Sequence, residues 1–190
     1  MAKNTFFRPG RIIREFEVGG NRVVFRCLKP SDAVQGREFI NSLIKEKAKI
    51  GWQRKFTLEE EKRWLTDTIR KNREGKNINL VVEIDNRFVG SIGVRKKILH
   101  AQEHVCDLGA TIAKEYRGPG IGKEAMKTLC KLGRDVLKCK IATLTVYDNN
   151  DVAKHVYNKI GFKEFGKLPK GCNYYGKYFD GTYMYKDLGK

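Results

Sequence analysis

The chain has 190 residues, of which 41% are hydrophobic and 11% aromatic. This composition is typical of a packed globular protein and excludes a disordered chain. Lys and Arg number 39 against 22 Asp and Glu, so the formal net charge is +17. A field of this sign attracts nucleic acid, a phosphorylated cofactor or an acidic protein, although a solubilising surface has the same composition.

The five cysteines favour a cytoplasmic protein with reduced thiols. Their number is odd and no C-x-x-C occurs, so neither a disulfide framework nor a zinc ribbon is predicted. The first twenty residues lack the continuous apolar core of a secretory signal. No stretch approaches the roughly 20 apolar residues of a membrane span. We therefore expect no metal and no membrane contact.

The first half of the chain predicts a strand, two helices and a hairpin. Residues 1–20 form an irregular or strand-like lead-in, and residues 22–28 alternate as a strand does. A helix follows to about residue 49. Thr57 and Glu60 have the spacing of a capping box, which starts a second helix ending near residue 73.

Three acidic residues, Glu59, Glu60 and Glu61, occupy the first turn of this second helix. The helix dipole alone favours acids there, and a binding site for a cationic substrate is the alternative. Next, the runs 79–84 and 88–95 flank a short turn at 85–87 and predict a β-hairpin.

The second half predicts alternating strands and helices around a glycine turn. Its predicted strands cover residues 104–112, 141–147, 162–168 and 181–185, and its predicted helices cover 122–138 and 150–160. Gly161 is a natural stop for the last helix. No internal repeat or interdomain linker is visible, so we expect a mixed α/β fold in one domain over residues 1–190.

The glycine turn R-G-P-G-I-G, residues 117–122, leads directly into a helix. Exposed backbone N–H groups and the positive end of the helix dipole predict an anion site suited to phosphate, with Arg117 and Lys123 adding charge. A P-loop requires Gly at 117 and Ser or Thr at 124, where this chain has Arg117 and Glu124. A Rossmann fingerprint is also disfavoured, because residues 113–116 separate the turn from its strand and residues 140–146 offer no acid.

Two longer segments resemble the conserved blocks of the GNAT superfamily of N-acetyltransferases. Residues 111–126, T-I-A-K-E-Y-R-G-P-G-I-G-K-E-A-M, resemble the acyl-CoA motif Arg/Gln-x-x-Gly-x-Gly/Ala. Residues 150–162, N-D-V-A-K-H-V-Y-N-K-I-G-F, resemble the block Asn-x-x-Ala-x-x-x-Tyr-x-x-x-Gly-Phe at every named position. The meander with F-V-G-S-I-G at 88–93 precedes them in the expected order. The likeness covers roughly residues 81–185.

This resemblance implies a single GNAT-like domain, with a strongly twisted mixed sheet of six to seven strands and about four flanking helices. Residues 21–75 would form the acceptor side and residues 79–187 the acyl-CoA-binding core. The pantetheine arm of acetyl-CoA would lie where the fourth and fifth predicted strands separate. The implied cofactor contacts are Ile112, Ala113, Arg117, Gly118, Pro119, Gly120, Ile121, Gly122, Lys123 and Asn150.

The implied reaction moves an acetyl group from acetyl-CoA to a primary amine by direct attack. An alkyl ammonium, with a pKa of about 10.4, must first lose its proton. Asp107 is the candidate base, acting through water because its side chain is short, and Glu83 is the reserve. Tyr157 would donate a proton to the departing thiolate, and backbone N–H groups would stabilise the oxyanion.

Several acceptors stay open, among them a protein N-terminus, a lysine, a ribosomal protein, a polyamine and an antibiotic. The tail with Tyr174, Tyr175, Tyr178 and Tyr183 could line the acceptor site, pack as final strands or form a homodimer contact. Other classes are a basic nucleic-acid- or ribosome-binding module and a non-catalytic acyl-CoA sensor. No nucleic-acid motif occurs, so nucleic acid is not expected to be a direct substrate.

Overall fold

The computed structural model describes residues 7–189, so the first six residues of the predicted lead-in lie outside the described part. One eight-stranded sheet carries four α-helices. The strands are β1 Ile12–Val18, β2 Asn21–Cys27, β3 Asn77–Ile84, β4 Arg87–Lys96, β5 Val105–Ile112, β6 Ile141–Tyr147, β7 Lys163–Tyr174 and β8 Lys177–Asp187. The helices are α1 Ala33–Lys45, α2 Leu58–Arg73, α3 Ile121–Asp135 and α4 Asp151–Lys159.

The strand order is β1-β2-β3-β4-β5-β6-β8-β7. All neighbours pair antiparallel except β5 and β6, which are parallel because α3 crosses between them. The mixed α/β class and the four helices are confirmed. The predicted count of six to seven strands was low, because the lead-in pairs with β2 and forms a regular first strand.

The two faces of the sheet carry different helices. Strand residues such as Phe25, Leu80 and Leu108 pack with α3 and α4 in the main core. On the opposite face, Val81 packs with Leu65 of α2. We call this second face the acceptor face, because it lies under the two helices that the sequence resemblance predicts on the acceptor side.

Local signals set several boundaries. The Thr57 side chain accepts from the Glu60 N–H, and the Glu60 carboxylate accepts from the Thr57 N–H, which confirms the capping box of α2. Asp85 and Asn86 both have positive φ, 50° and 59°, as a two-residue hairpin turn requires. Gly161, at φ 90°, ends α4.

None of the helices in the described residues is both long and apolar enough to cross a membrane. Across residues 7–189, no three His, Cys, Asp or Glu side chains gather in a way that could hold a metal ion. All five cysteines are free thiols.

Candidate active site

The central feature of the sheet is a gap between β5 and β6. These strands pair only at their beginnings, where Val105, Cys106 and Asp107 lie beside residues 141–143. Beyond Asp107, β5 continues to Ile112 and β6 to Tyr147 without pairing with each other. Two strands that separate in the middle of a sheet leave backbone groups available to a third, extended group.

The direction of these backbone groups follows from one hydrogen bond. The Ala113 N–H donates to the Val89 carbonyl at 2.8 Å, so it points toward β4. Because direction alternates along a strand, the N–H groups of Leu108, Ala110 and Ile112 point away from β4. The last β5–β6 pairing, between Asp107 and Thr143, uses the Leu108 N–H, so the N–H groups of Ala110 and Ile112 are the ones that face the gap. The Ala113 carbonyl also accepts from the Tyr116 N–H at 3.0 Å. Of the two predicted arm-binding residues, Ile112 therefore keeps a backbone donor for the gap and Ala113 does not.

The glycine turn stands at the open end of the gap, at the start of α3. Gly120 is the N-cap with φ 110°, a conformation that favours glycine, and no side chain caps the helix. Within residues 7–189, no group accepts a hydrogen bond from the N–H groups of Gly118 or of residues 120–123. A Cβ added at Gly118 or Gly122 would meet no protein atom within 4 Å. The donors thus face open space, as an anion site requires.

Pro119, between these glycines, is supported by the first hairpin. A Cβ at Gly19 would lie 2.9 Å from the Pro119 Cβ, so the β1–β2 turn needs glycine to approach so closely. On the same strand, the Arg14 guanidinium donates to the Thr128 hydroxyl of α3 at 2.7 Å. Strand β1, which was missing from the predicted strand count, therefore supports the glycine turn and the start of α3.

Arg117 is held by protein groups on its own side of the turn. Its Nε donates to the Ile112 carbonyl at 2.8 Å, and its guanidinium forms an ion pair with Glu46 just after α1. This arrangement fixes the turn against α1. The hydrogen-bond donors that remain free in the turn are backbone N–H groups. The Lys123 side chain lies next to them, and it forms no ion pair with any described residue.

Asn150 and Tyr157 lie at the start and on the inner side of α4, which follows β6 directly. The Asn150 side-chain oxygen accepts from the Ala153 N–H at 3.4 Å, so this residue caps the helix. The Tyr157 ring packs against the main core and lies 6.1 Å from the Phe162 ring. Burial raises the pKa of Tyr157, and no described group bonds its hydroxyl, which therefore stays protonated and available as a donor.

Asp107 is the last β5 residue before the strands separate, on the acceptor face. Both of its carboxylate oxygens are occupied: Oδ1 accepts from the Thr143 hydroxyl at 2.5 Å and Oδ2 pairs with Lys97 Nζ at 2.6 Å. A proton acceptor at this place must release one of these partners or act through water.

Glu83, the reserve base, has a different environment. Its carboxylate accepts from Arg26 Nε at 2.7 Å, and Arg26 also binds both oxygens of buried Asp32 at 2.8 and 2.9 Å. Glu83 is on β3, with β4 between it and β5. The residue belongs to a buried ionic cluster that fixes the start of α1, and it does not face the gap.

A cavity of about 310 Å³ opens on the acceptor face under α1 and α2. Its floor is Ser91 of β4 and Thr111 of β5. The next β5 residue on this face, Gly109, leaves open space where a side chain would stand. The face is therefore bare between Thr111 and Asp107, so the cavity and the start of the gap communicate along β5.

The loop between α1 and α2 forms the outer wall of this cavity and is bound to the far side of the gap. The Lys49 ammonium donates to the Asn149 carbonyl at 2.6 Å, and the Tyr147 hydroxyl lies between the Asn173 carbonyl at 3.2 Å and the Ile50 carbonyl at 3.4 Å. The β7–β8 hairpin adds further bonds: the Tyr174 hydroxyl donates to the Lys47 carbonyl, the Tyr175 N–H donates to the Gln53 side chain, and the Tyr175 hydroxyl donates to the carbonyl of Ile44 at the end of α1. Part of the aromatic tail thus packs against the end of α1 and the loop that follows it.

Sequence reasoning did not single out three residues of this region: Trp52, Phe56 and Tyr147. The first two line the cavity, and the third bridges β6 to the loop. A tryptophan, followed closely by a phenylalanine, in a glycine-interrupted polar loop was the available signal, since large exposed aromatics are uncommon on inert surfaces.

Comparison with known proteins identifies the family to which the chain belongs. The sequence model of the acetyltransferase (GNAT) domain matches residues 22–163. The chain therefore belongs to the GNAT acetyltransferase family.

Individual relatives agree with this assignment. The L-amino acid N-acetyltransferase AaaT of Escherichia coli is 29% identical over 105 residues, which cover 55% of this chain and 65% of that protein. The chain thus matches just under two thirds of that relative.

Two solved structures share the fold. The ribosomal-protein-alanine N-acetyltransferase of Brucella melitensis superposes with a TM-score of 0.76 at 22% identity, covering 86% of this chain and 98% of that one. The acetyltransferase yncA of Salmonella typhimurium, solved with its cofactor acetyl-CoA, gives 0.76 at 15% identity, covering 88% and 95%.

Proposed function

We propose that this protein is an acetyl-CoA-dependent N-acetyltransferase that acetylates a primary amine in a ternary complex. The observation that carries the proposal is the β5–β6 gap, which ends at the unpaired N–H groups of Gly118 and of residues 120–123. An extended arm fits the gap, and a pyrophosphate fits the turn. The yncA structure, solved with acetyl-CoA, supports this cofactor class.

The proposed cofactor residues divide by the groups they offer. The glycine turn would bind pyrophosphate through backbone donors, Lys123 would add positive charge, and Pro119 and Ile121 would hold the turn in shape. Ile112 would bond the arm through its N–H. Ala113 and Arg117 would act by positioning, because their polar groups already have protein partners. Asn150 retains its side-chain NH₂ for the cofactor, since only the oxygen caps α4.

Bound acetyl-CoA supplies an acetyl thioester, and the chain supplies the proton transfers. Asp107, through a water molecule, takes the proton that the amine must lose before its nitrogen bonds the carbonyl carbon. Backbone N–H groups that face the gap, such as that of Ala110, would stabilise negative charge on the carbonyl oxygen. Tyr157 would give its phenolic proton to the departing sulfur and then take up the second proton that the nitrogen must lose, which restores the phenol.

The acceptor is proposed to enter on the acceptor face, between residues 21–75, which would form the acceptor side, and the acyl-CoA-binding core of residues 79–187. A protein amine, including one on a ribosomal protein, is the favoured class, supported by the name of the Brucella neighbour. The basic surface also suits an acidic protein partner. We further propose a cytoplasmic location, supported by the free thiols, and a homodimer through β7, the edge strand, where Phe165 is exposed.

Thermal unfolding with acetyl-CoA tests the cofactor. At a hundredfold excess over the dissociation constant, binding should add about 2.7 kcal/mol of stability. At about 2–4 °C per kcal/mol, this is a rise of roughly 5–11 °C in Tm. S-acetylpantetheine, which lacks the pyrophosphate, is the matched control and should give a much smaller rise. Equal shifts for both ligands would remove the glycine turn from the site, and no shift at millimolar acetyl-CoA would contradict the proposal.

An amine panel, with release of free CoA as the signal, then tests transfer. Release that depends on both acetyl-CoA and an amine is the expected result. If acetyl-CoA stabilises the protein but no amine, peptide or ribosomal protein releases CoA, the non-catalytic acyl-CoA sensor becomes the better description.

A further inference from the structure

Three consecutive acids in the first turn of α2 have three different environments. Glu59 pairs with Lys62 at 2.9 Å, and Glu60 pairs with Arg54 at 2.8 Å while capping the helix. Glu61 is only 8% exposed, and within residues 7–189 its carboxylate has neither a hydrogen-bond donor nor an ion-pair partner. Helix capping and the dipole therefore account for Glu59 and Glu60 and leave Glu61 unexplained.

The Glu61 side chain is part of the wall of the 310 Å³ cavity. Opposite it, α1 carries Gly36, where a Cβ would lie 2.7 Å from Glu61 Oε1. The absence of a side chain at Gly36 therefore leaves room for the carboxylate. Among the described residues, every polar side-chain atom that is completely inaccessible to solvent has a hydrogen-bond partner. The Glu61 carboxylate oxygens have none, so they are not completely inaccessible and remain open to the cavity.

The remaining walls of the cavity are mostly apolar and carry five aromatic residues. Two tryptophans stand at its rim, with Trp52 57% exposed and Trp64 42% exposed. Phe39, Phe56 and Phe88 are the other three aromatic residues of the lining. Glu61 is the one charged residue of this lining. Aromatic faces attract organic cations, and a desolvated carboxylate binds one strongly when no protein cation competes.

We propose that this cavity selects the acceptor of the N-acetyltransferase proposed above as a protonated primary amine, with its ammonium group against Glu61 and an apolar body of about one ring among the aromatic side chains. Glu61 is then a positioning residue that determines specificity. The inference rests on the proposed function only in treating the bound amine as the group that is acetylated. Binding of the cation itself can be measured without acetyl-CoA.

Two physical points narrow the ligand class. A cavity of 310 Å³ is at the small end of ligand sites, so it suits a single side chain or a single-ring amine. The lining has no Lys or Arg, so a carboxylate beside the amine would meet Glu61 without a counterion. The site therefore favours an arylalkylamine, or the amine of a chain end whose carbonyl is an amide, over a free amino acid. Burial raises the pKa of Glu61, as expected when no cation is bound.

Tryptophan fluorescence is a direct probe, because the chain has two tryptophans and both line the cavity. The protein, without acetyl-CoA, is titrated with 2-phenylethylamine, with the neutral isostere 2-phenylethanol, and with L-phenylalanine. We expect saturable binding in the order 2-phenylethylamine, 2-phenylethanol, L-phenylalanine. Glu61→Gln should raise the Kd of 2-phenylethylamine by about tenfold or more and change the Kd of 2-phenylethanol less than about twofold.

Glu59→Gln is the matched control, with the same charge change two residues away on an exposed site, and should leave all three affinities unchanged. Equal affinity for the amine and the alcohol in the unaltered protein would overturn the proposal without any variant. So would unchanged amine affinity in Glu61→Gln, or no saturable signal with the amine. A protein that binds acetyl-CoA but fails this titration refutes the cavity's role alone, and the reverse result refutes the proposed function alone.

Discussion

Gly122→Ala separates the cofactor role of the glycine turn from its structural role. Gly122 is the second residue of α3, outside the positive-φ region, and a methyl there contacts no protein atom. Alanine is favoured over glycine in helices by about 0.5–1 kcal/mol. We therefore expect the ligand-free variant to unfold at the same temperature as the unaltered protein or up to about 4 °C higher.

The same methyl group should weaken the binding of acetyl-CoA. It would occupy the space that the free N–H groups face, and so hold a phosphate away from at least one donor. A hydrogen bond to a charged group contributes about 1.5–3 kcal/mol. Its loss corresponds to a rise of roughly 10- to 150-fold in Kd.

Isothermal titration calorimetry with acetyl-CoA measures this Kd, and denaturation of the ligand-free protein measures stability. Gly166→Ala, on β7, is the control, since it too lies in open space without a positive φ, far from the turn. Gly120→Ala provides the contrast, because φ of 110° strains alanine and should lower stability by about 1–3 kcal/mol. If Gly122→Ala folds and binds acetyl-CoA as tightly as before, the pyrophosphate does not bind at this turn.

Three further changes test other parts of the structure. Tyr157→Phe keeps the packed ring but removes the proton donor, so kcat should fall about a hundredfold or more while the Kd of acetyl-CoA stays unchanged; an unchanged kcat would exclude a catalytic hydroxyl. Glu61→Gln removes a carboxylate whose pKa is raised in the folded state, so urea denaturation should find the variant more stable than the unaltered protein at pH 7. This difference in stability should disappear as the pH falls below about 4.3, because the carboxylate is then protonated in the unfolded state as well. A difference that is independent of pH would refute this prediction. Asp32→Asn leaves the buried Arg26 guanidinium short of a partner and should cost about 3–5 kcal/mol of unfolding free energy, whereas Glu15→Gln, in an exposed ion pair, should leave the unfolding free energy nearly unchanged; equal losses would contradict the burial argument.

The sequence by itself determined the features that depend on neighbouring residues. The Thr57–Glu60 capping box, the turn at Asp85 and Asn86, and the stop at Gly161 were readable because each involves groups within a few positions of one another. The glycine turn and the block that starts at Asn150 were readable for the same reason, and they carried the family assignment. The lead-in strand β1 was only partly readable, since its regularity comes from pairing with β2.

Only the tertiary structure decided which charged side chains are available for chemistry. Asp107 meets Lys97 and Thr143, while Glu83 meets Arg26. Arg117, which the motif alone assigns to phosphate, pairs with Glu46, 71 positions away. These partners come together through strand order and register, which no local pattern encodes.

Glu61 shows the same limit most clearly. In the sequence it is one of three equivalent acids at the start of a helix. The fold gives Glu59 and Glu60 basic partners and turns Glu61 toward Gly36 and an aromatic cavity. A helix places consecutive residues on different faces, so the face that packs against α1 decides which acid is buried. The sequence therefore supplied the motif that resembles an acyl-CoA site, and the packing of α1 on α2 supplied the cavity that we propose for the acceptor.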